Sequence, residues 1–130
     1  MEKRKLEQFC VKWLNAWTGN KPEELIHYYA EDAYYQDPAT PTGIKGQSDI
    51  LNYFRKLLSK NPEWQWKMEE LYPTSKGFIL KWNANIPIGK EIINAVGMDI
   101  VELCRDKIIR NEVYFDRTLM LDKLKQLKGN

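Results

Sequence analysis

The side chains that most often bind transition metals are scarce in this chain: His27 is the single histidine, and Cys10 and Cys104 are the two cysteines. No CxxC pair and no Cys/His ligand spacing occurs, so no metal centre is expected. Each cysteine sits inside an apolar pattern, the usual setting of a free core thiol, which points to a reducing compartment and no disulfide. A glycine-rich phosphate loop is missing as well, and no cofactor is expected. Long hydrophobic runs are also lacking, since none approaches the roughly 18 residues that a membrane span needs. The apolar stretch that a secretory leader would place after Lys5 is broken by Glu7, Gln8 and Lys12, so a cytoplasmic location is expected. Nor is there an excess of one charge: 20 basic and 18 acidic residues leave a net +2. That balance speaks against nucleic-acid binding. The lysines near the two ends (Lys3 and Lys5, then Lys123, Lys125 and Lys128) read as solvated terminal turns.

What the chain has in quantity is apolar and aromatic side chains, 43% and 12% of its 130 residues. That length and composition suit a single domain, residues 1–130, around one core. Residues 2–18 predict an amphipathic helix, because Leu6, Phe9, Cys10, Trp13, Leu14 and Trp17 recur at spacings of three and four. Gly19-Asn20 ends it. Lys21-Pro22-Glu23-Glu24 opens a second helix running to about Ala30, with His27 in a surface or structural role. A short strand follows over Tyr34–Asp37. A Pro/Gly-rich turn then leads to Ser48, which caps a third helix reaching about Ser59, with Ile50, Leu51, Phe54, Leu57 and Leu58 inward.

Beyond Asn61-Pro62 the period shortens to two, the mark of strands. Glu63–Tyr72 carries Trp64, Trp66 and Met68 on one face. Phe78, Leu80, Trp82 and Ala84 share a face of the next strand, and Pro87-Ile88-Gly89-Lys90 closes a hairpin. Ile92–Cys104 is a long strand that is apolar on both faces, Arg105-Asp106-Lys107 turns it back, and Ile108–Asp116 is the last strand. Residues 118–128 suit a terminal amphipathic helix. Helices first and an antiparallel meander second is an α+β pattern. A strand apolar on both faces needs two covers. The helical layer supplies one, and a second copy of the chain resting on Val96, Met98 and Ile100 would supply the other, making a homodimer.

Three stretches carry a family likeness. They are Tyr28-Tyr29-Ala30-Glu31-Asp32-Ala33-Tyr34-Tyr35-Gln36-Asp37-Pro38 with Gly43-Ile44-Lys45-Gly46, then Asp99-Ile100-Val101-Glu102-Leu103, then Lys107-Ile108-Ile109-Arg110 running into Val113-Tyr114-Phe115-Asp116. In order and spacing the chain resembles, over roughly residues 5–117, the nuclear-transport-factor-2-like superfamily, which includes ketosteroid isomerases and SnoaL-like polyketide cyclases. The resemblance implies a cone: a strongly curved antiparallel sheet with three N-terminal helices on its concave side. It places Asp37 where the isomerases carry their proton-shuttling base and Asp99 where they carry an acid that stabilises an oxyanion. Trp13 stands where those enzymes have a tyrosine. Val113 stands where cyclases and limonene-epoxide hydrolases have an Asp. Ile79 and Lys81 replace the hydrolase Arg/Asp pair, so those two mechanisms are disfavoured.

Each signal also has a plainer reading. Asp before Pro is commonly a turn residue, an acid within an apolar strand can be salt-bridged, and an aromatic stripe can be plain core. The functional reading makes Asp37 and Asp99 a catalytic pair in a pocket lined by Trp13, Trp17, Tyr35, Phe54, Trp66, Trp82, Asn111, Val113 and Phe115. That pocket would hold a small apolar or aromatic ligand, with isomerase- or cyclase-like proton transfer on a hydrophobic carbonyl compound. The alternative is a non-catalytic ligand-binding protein or a dimeric adaptor of the same fold.

Overall fold

The structure, a computed structural model, describes residues 2–129. The first helix, α1 (Lys3–Ala16), buries Leu6, Cys10, Trp13 and Leu14, the face its three-and-four spacing dictates. Gly19 (φ +88°) and Asn20 (φ +55°) turn the chain away in left-handed geometry. Helix α2 is only Pro22–Leu25, followed by a 3₁₀ turn over Ile26–Tyr28. Strand β1 then runs Tyr29–Gln36, so the expected helix to Ala30 is shorter and the expected strand longer. Local pattern lost to tertiary contacts here: Tyr29 pairs with Ile108 on the last strand, and its hydroxyl is bound deep in the core. Aromatic residues also fit a half-buried pleat.

The two-residue strand β2 (Ile44–Lys45) pairs with β1, and helix α3 spans Gln47–Lys60. Ser48 is not its cap. Gly46 occupies that place at φ +95°, a conformation open to glycine, and its carbonyl accepts from the Ile50 N–H at 3.1 Å. The meander follows as β3 (Gln65–Pro73), β4 (Gly77–Ile88), β5 (Glu91–Cys104) and β6 (Lys107–Phe115). Two-residue turns close the last two hairpins, Gly89-Lys90 between Ile88 and Glu91 and Arg105-Asp106 between Cys104 and Lys107. Arg105 and Asp106 both have positive φ, as a type I′ hairpin turn requires.

The six strands form one curved, open sheet in the order β2-β1-β6-β5-β4-β3. The sheet is mixed, not wholly antiparallel, because β1 and β6 run parallel. Three hairpins fix the direction of β6, and the long excursion through α3 and the meander is the crossover a parallel neighbour needs. Inward residues alternate along each strand: Phe78, Leu80, Trp82, Ala84 and Ile86 on β4, and Ile93, Gly97, Asp99 and Val101 on β5. Against them pack α1 and α3, the latter through Ile50, Phe54 and Leu58. Gly97 is demanded by packing, since a Cβ there would lie 2.2 Å from the Trp82 ring.

On the outer face Val96, Met98 and Tyr114 remain about half exposed. A fourth helix, α4 (Thr118–Gly129), begins where Asp116 accepts hydrogen bonds from the Thr118 N–H (2.9 Å) and hydroxyl (2.6 Å). Cys10 is buried, but Cys104, at the end of β5, is exposed and not a core thiol. Among the described residues no helix is long and apolar enough to cross a membrane.

Candidate ligand-binding site

Strand β1 delivers Asp37 to its position. Pro38 holds the preceding residue extended, and the chain then turns back through Ala39 and Thr40. The Asp37 side chain closes that turn, with Oδ1 accepting from the Ala39 N–H (2.9 Å), the Thr40 N–H (3.1 Å) and the Thr40 hydroxyl (3.2 Å). Its Oδ2 accepts from the hydroxyls of Tyr35 (2.8 Å) and Tyr53 (2.7 Å). Five donors meet a carboxylate that offers about four lone-pair directions, so Asp37 is a saturated acceptor. The turn reading and the pocket reading of this residue both hold, because it also faces a cavity.

Asp99 enters the same cavity from β5. It is buried, and the flanking strands clasp it diagonally: Trp82 Nε1 donates to Oδ1 at 2.7 Å, and Asn111 Nδ2 donates to Oδ2 at 2.9 Å. Behind Asn111 the chain of bonds continues inward. Tyr29 Oη donates to Asn111 Oδ1 at 2.8 Å, and Trp13 Nε1 donates to Tyr29 Oη at 3.3 Å. Burial pushes the Asp99 carboxyl up from 3.8 to about 7, against the pull of the Asn111 and Trp82 donors, and the charge of Asp37 adds to the rise. Burial likewise raises the Tyr29 and Tyr35 phenols well above the usual range. It lifts the Cys10 thiol to about 12, which makes that thiol inert. Asp99 is thus a carboxyl able to gain or lose a proton near neutrality inside an apolar wall.

The cavity has a volume of about 100 Å³ and is open to solvent on one side. Aromatic rings dominate its wall: Trp17, Trp64, Trp66, Trp82, Tyr53 and Phe115. Tyr35, Val113 and the two acids complete the part that the sequence anticipates. Three expected pocket residues lie elsewhere. Trp13 is wholly buried with its N–H spent on Tyr29, so it offers the cavity no donor in place of the isomerase tyrosine. Phe54 lies beneath the wall, packed on Trp17 (4.9 Å between ring centroids) and Tyr35 (5.2 Å). Asn111 stands behind Asp99.

Pattern reading misses Tyr53, Trp64, Arg117 and Met120. Tyr53 lies on the flank of α3, one residue before inward Phe54, and only its distance to Asp37 reveals its part. Arg117 and Met120 come from the C-terminal segment, where Met120 turns into the cavity. Arg117 Nη2 donates to the Pro38 carbonyl oxygen at 3.2 Å, tying that segment to the Asp37 turn. Among the described residues no group of three or more His, Cys, Asp or Glu side chains is placed to hold a metal ion.

This architecture is shared by solved structures. A protein of Shewanella putrefaciens CN-32, provisionally described as a SnoaL-like polyketide cyclase, superposes with a TM-score of 0.79 at 17% identity, covering 94% of this chain and 86% of that one. A protein of Catenulispora acidiphila DSM 44928 with a ketosteroid isomerase-like fold, solved with trimethylamine, gives 0.78 at 16% identity, over 90% and 92% of the two chains. TerC, co-crystallised with polyporic acid, gives 0.77 at 9% identity, over 92% and 98%. Identities this low establish the fold alone. No curated protein matches the sequence. The family model of the SnoaL-like domain, however, matches residues 11–111, a span that begins within α1 and holds β1, the Asp37 turn, Asp99 and Asn111; the chain belongs to the SnoaL-like domain family.

Proposed function

We propose that the protein binds a small, largely apolar molecule in this cavity and moves a proton on it through Asp99. The observation that carries the reading is the setting of Asp99: buried, opening on an aromatic cavity, and shifted to about 7. A general base works best when its pKa lies near the operating pH. The resemblance gave the base role to Asp37. The bond pattern favours Asp99, since every lone pair of Asp37 already has a donor. The Tyr35 and Tyr53 hydroxyls line the same cavity, and a developing oxyanion is what would draw their protons from Asp37. A carbonyl compound with an acidic α-hydrogen meets these requirements. The test is exchange of α-hydrogens for deuterium in a panel of small cyclic ketones, followed by NMR in D₂O. Exchange should rise as pH passes through about 7 and vanish in Asp99→Asn; equal exchange in the variant overturns the reading.

A second reading, ligand binding without turnover, is favoured by the orientation of Trp13, which leaves the cavity without the additional donor that the isomerases use. Trimethylamine in the Catenulispora structure and polyporic acid in TerC support a small-ligand site in this fold. Under that reading a ligand raises the melting temperature and nothing is consumed. We also propose that a second copy of the chain covers Val96 and Met98, the half-exposed apolar residues of the outer sheet face.

A further inference from the structure

We infer that the cavity selects a small organic cation, an alkylammonium ion, over neutral molecules of the same shape. This rests on the reading of the cavity as a small-ligand site and is independent of whether the ligand turns over.

Asp37 and Asp99 both face the cavity and are both buried, yet among the described residues neither forms an ion pair; the pairs present all lie elsewhere. Buried carboxylates ordinarily have a cation beside them. Among the described residues Arg117 is the one basic side chain in the lining, and its guanidinium is directed to the Pro38 carbonyl. With both acids ionised the lining of two carboxylates and one guanidinium carries a net negative charge. Among the described residues too few ligands converge for a metal ion to be the missing partner.

The walls say what kind of cation fits. Trp17, Trp64, Trp66, Trp82, Tyr53 and Phe115 surround the space, with successive ring centroids 5.8 Å (Trp17–Trp66), 5.7 Å (Trp64–Trp66) and 5.4 Å (Trp82–Phe115) apart. Aromatic faces attract alkylated ammonium groups, whose charge is spread over methyl groups and needs no hydrogen-bond acceptor. A primary ammonium or a guanidinium would want several acceptors, and most here are already engaged. Size agrees: about 100 Å³ is of the order of an engineered cavity of about 150 Å³ that holds benzene, which suits a trimethyl- or tetramethylammonium head with any tail in the open mouth. Titratable groups acting on Asp99 are few, with Asp37 facing it and Cys10 and Tyr29 behind it.

The experiment is isothermal titration of the intact protein at pH 8 with choline, and with its uncharged carbon isostere 3,3-dimethylbutan-1-ol, tetramethylammonium serving as the smaller probe. The expected result is at least tenfold tighter binding of choline than of the isostere, with the ratio falling toward one in Asp99→Asn. Trp66→Leu should weaken choline more than the isostere. Equal or tighter binding of the isostere overturns the cation inference and leaves the small-ligand reading standing. Failure of both cations to bind at millimolar concentration overturns it as well; melting-temperature shifts with neutral ketones then decide separately whether the cavity is a ligand site.

Discussion

Replacing Asp99 with Asn should make the stability curves of the two proteins cross as pH is raised. In the folded protein the carboxyl titrates at about 7, against 3.8 for the ordinary side chain. Between those values the native state keeps a proton that the unfolded chain has released, so each rise in pH within the window favours unfolding. A shift of about three units corresponds to about 4 kcal/mol, absent below pH 4 and fully expressed above pH 7. The variant cannot titrate, but it alters the bonds. Its new amide would oppose the Asn111 amide unless Asn111 turns over, and turning over leaves the Tyr29 hydroxyl without its acceptor, a loss of about 1–3 kcal/mol. The variant should therefore be less stable than the parent at pH 4.5 and equally or more stable at pH 8. Chemical denaturation of both proteins across that range measures the difference, in which the other titrating groups cancel. A difference that stays constant with pH would refute the reasoning, because it would mean that Asp99 is already ionised at the acid end.

Other outcomes follow from the same geometry. Gly97→Ala should displace the Trp82 indole, destabilising the fold by about 1–3 kcal/mol and changing the near-ultraviolet circular dichroism. Tyr53→Phe removes one of the five donors to Asp37; the ring is half-buried, so a loss of about 1–2 kcal/mol is expected by thermal melts, with the fold retained. For the outer face, sedimentation should give a dimer for the parent and a monomer for Val96→Glu combined with Met98→Glu, both equally folded. A parent that is monomeric at every concentration removes that proposal.

Much of this molecule can be read along the chain, and the failures have identifiable causes. The meander announces itself because its last two hairpins need only a two-residue turn and alternation on either side, as Ile88-Gly89-Lys90-Glu91 and Cys104-Arg105-Asp106-Lys107 show. Helices α1 and α3 repeat their apolar faces long enough to be unambiguous. By contrast, β1 begins inside a stretch with helical spacing, and only its pairing with β6, 79 positions later at Ile108, settles Tyr29 as strand. The pair Asp37 and Asp99 is reachable from the sequence by resemblance. The bonds around Asp99 are not, since Trp82, Asn111, Tyr29 and Trp13 converge from four separate elements. The same holds for Arg117 and Met120, which belong to the cavity because α4 folds back on it.

The proposed chemistry depends most on Asp99 exchanging its proton near neutrality while enclosed by Trp82, Asn111 and the aromatic wall. Carbon-13 labelling of the aspartate side-chain carboxyls, followed by NMR from pH 3 to 9, observes that event directly once the Asp99→Asn spectrum assigns the signal. The expected midpoint for Asp99 is about 7. A midpoint near 4 would contradict it.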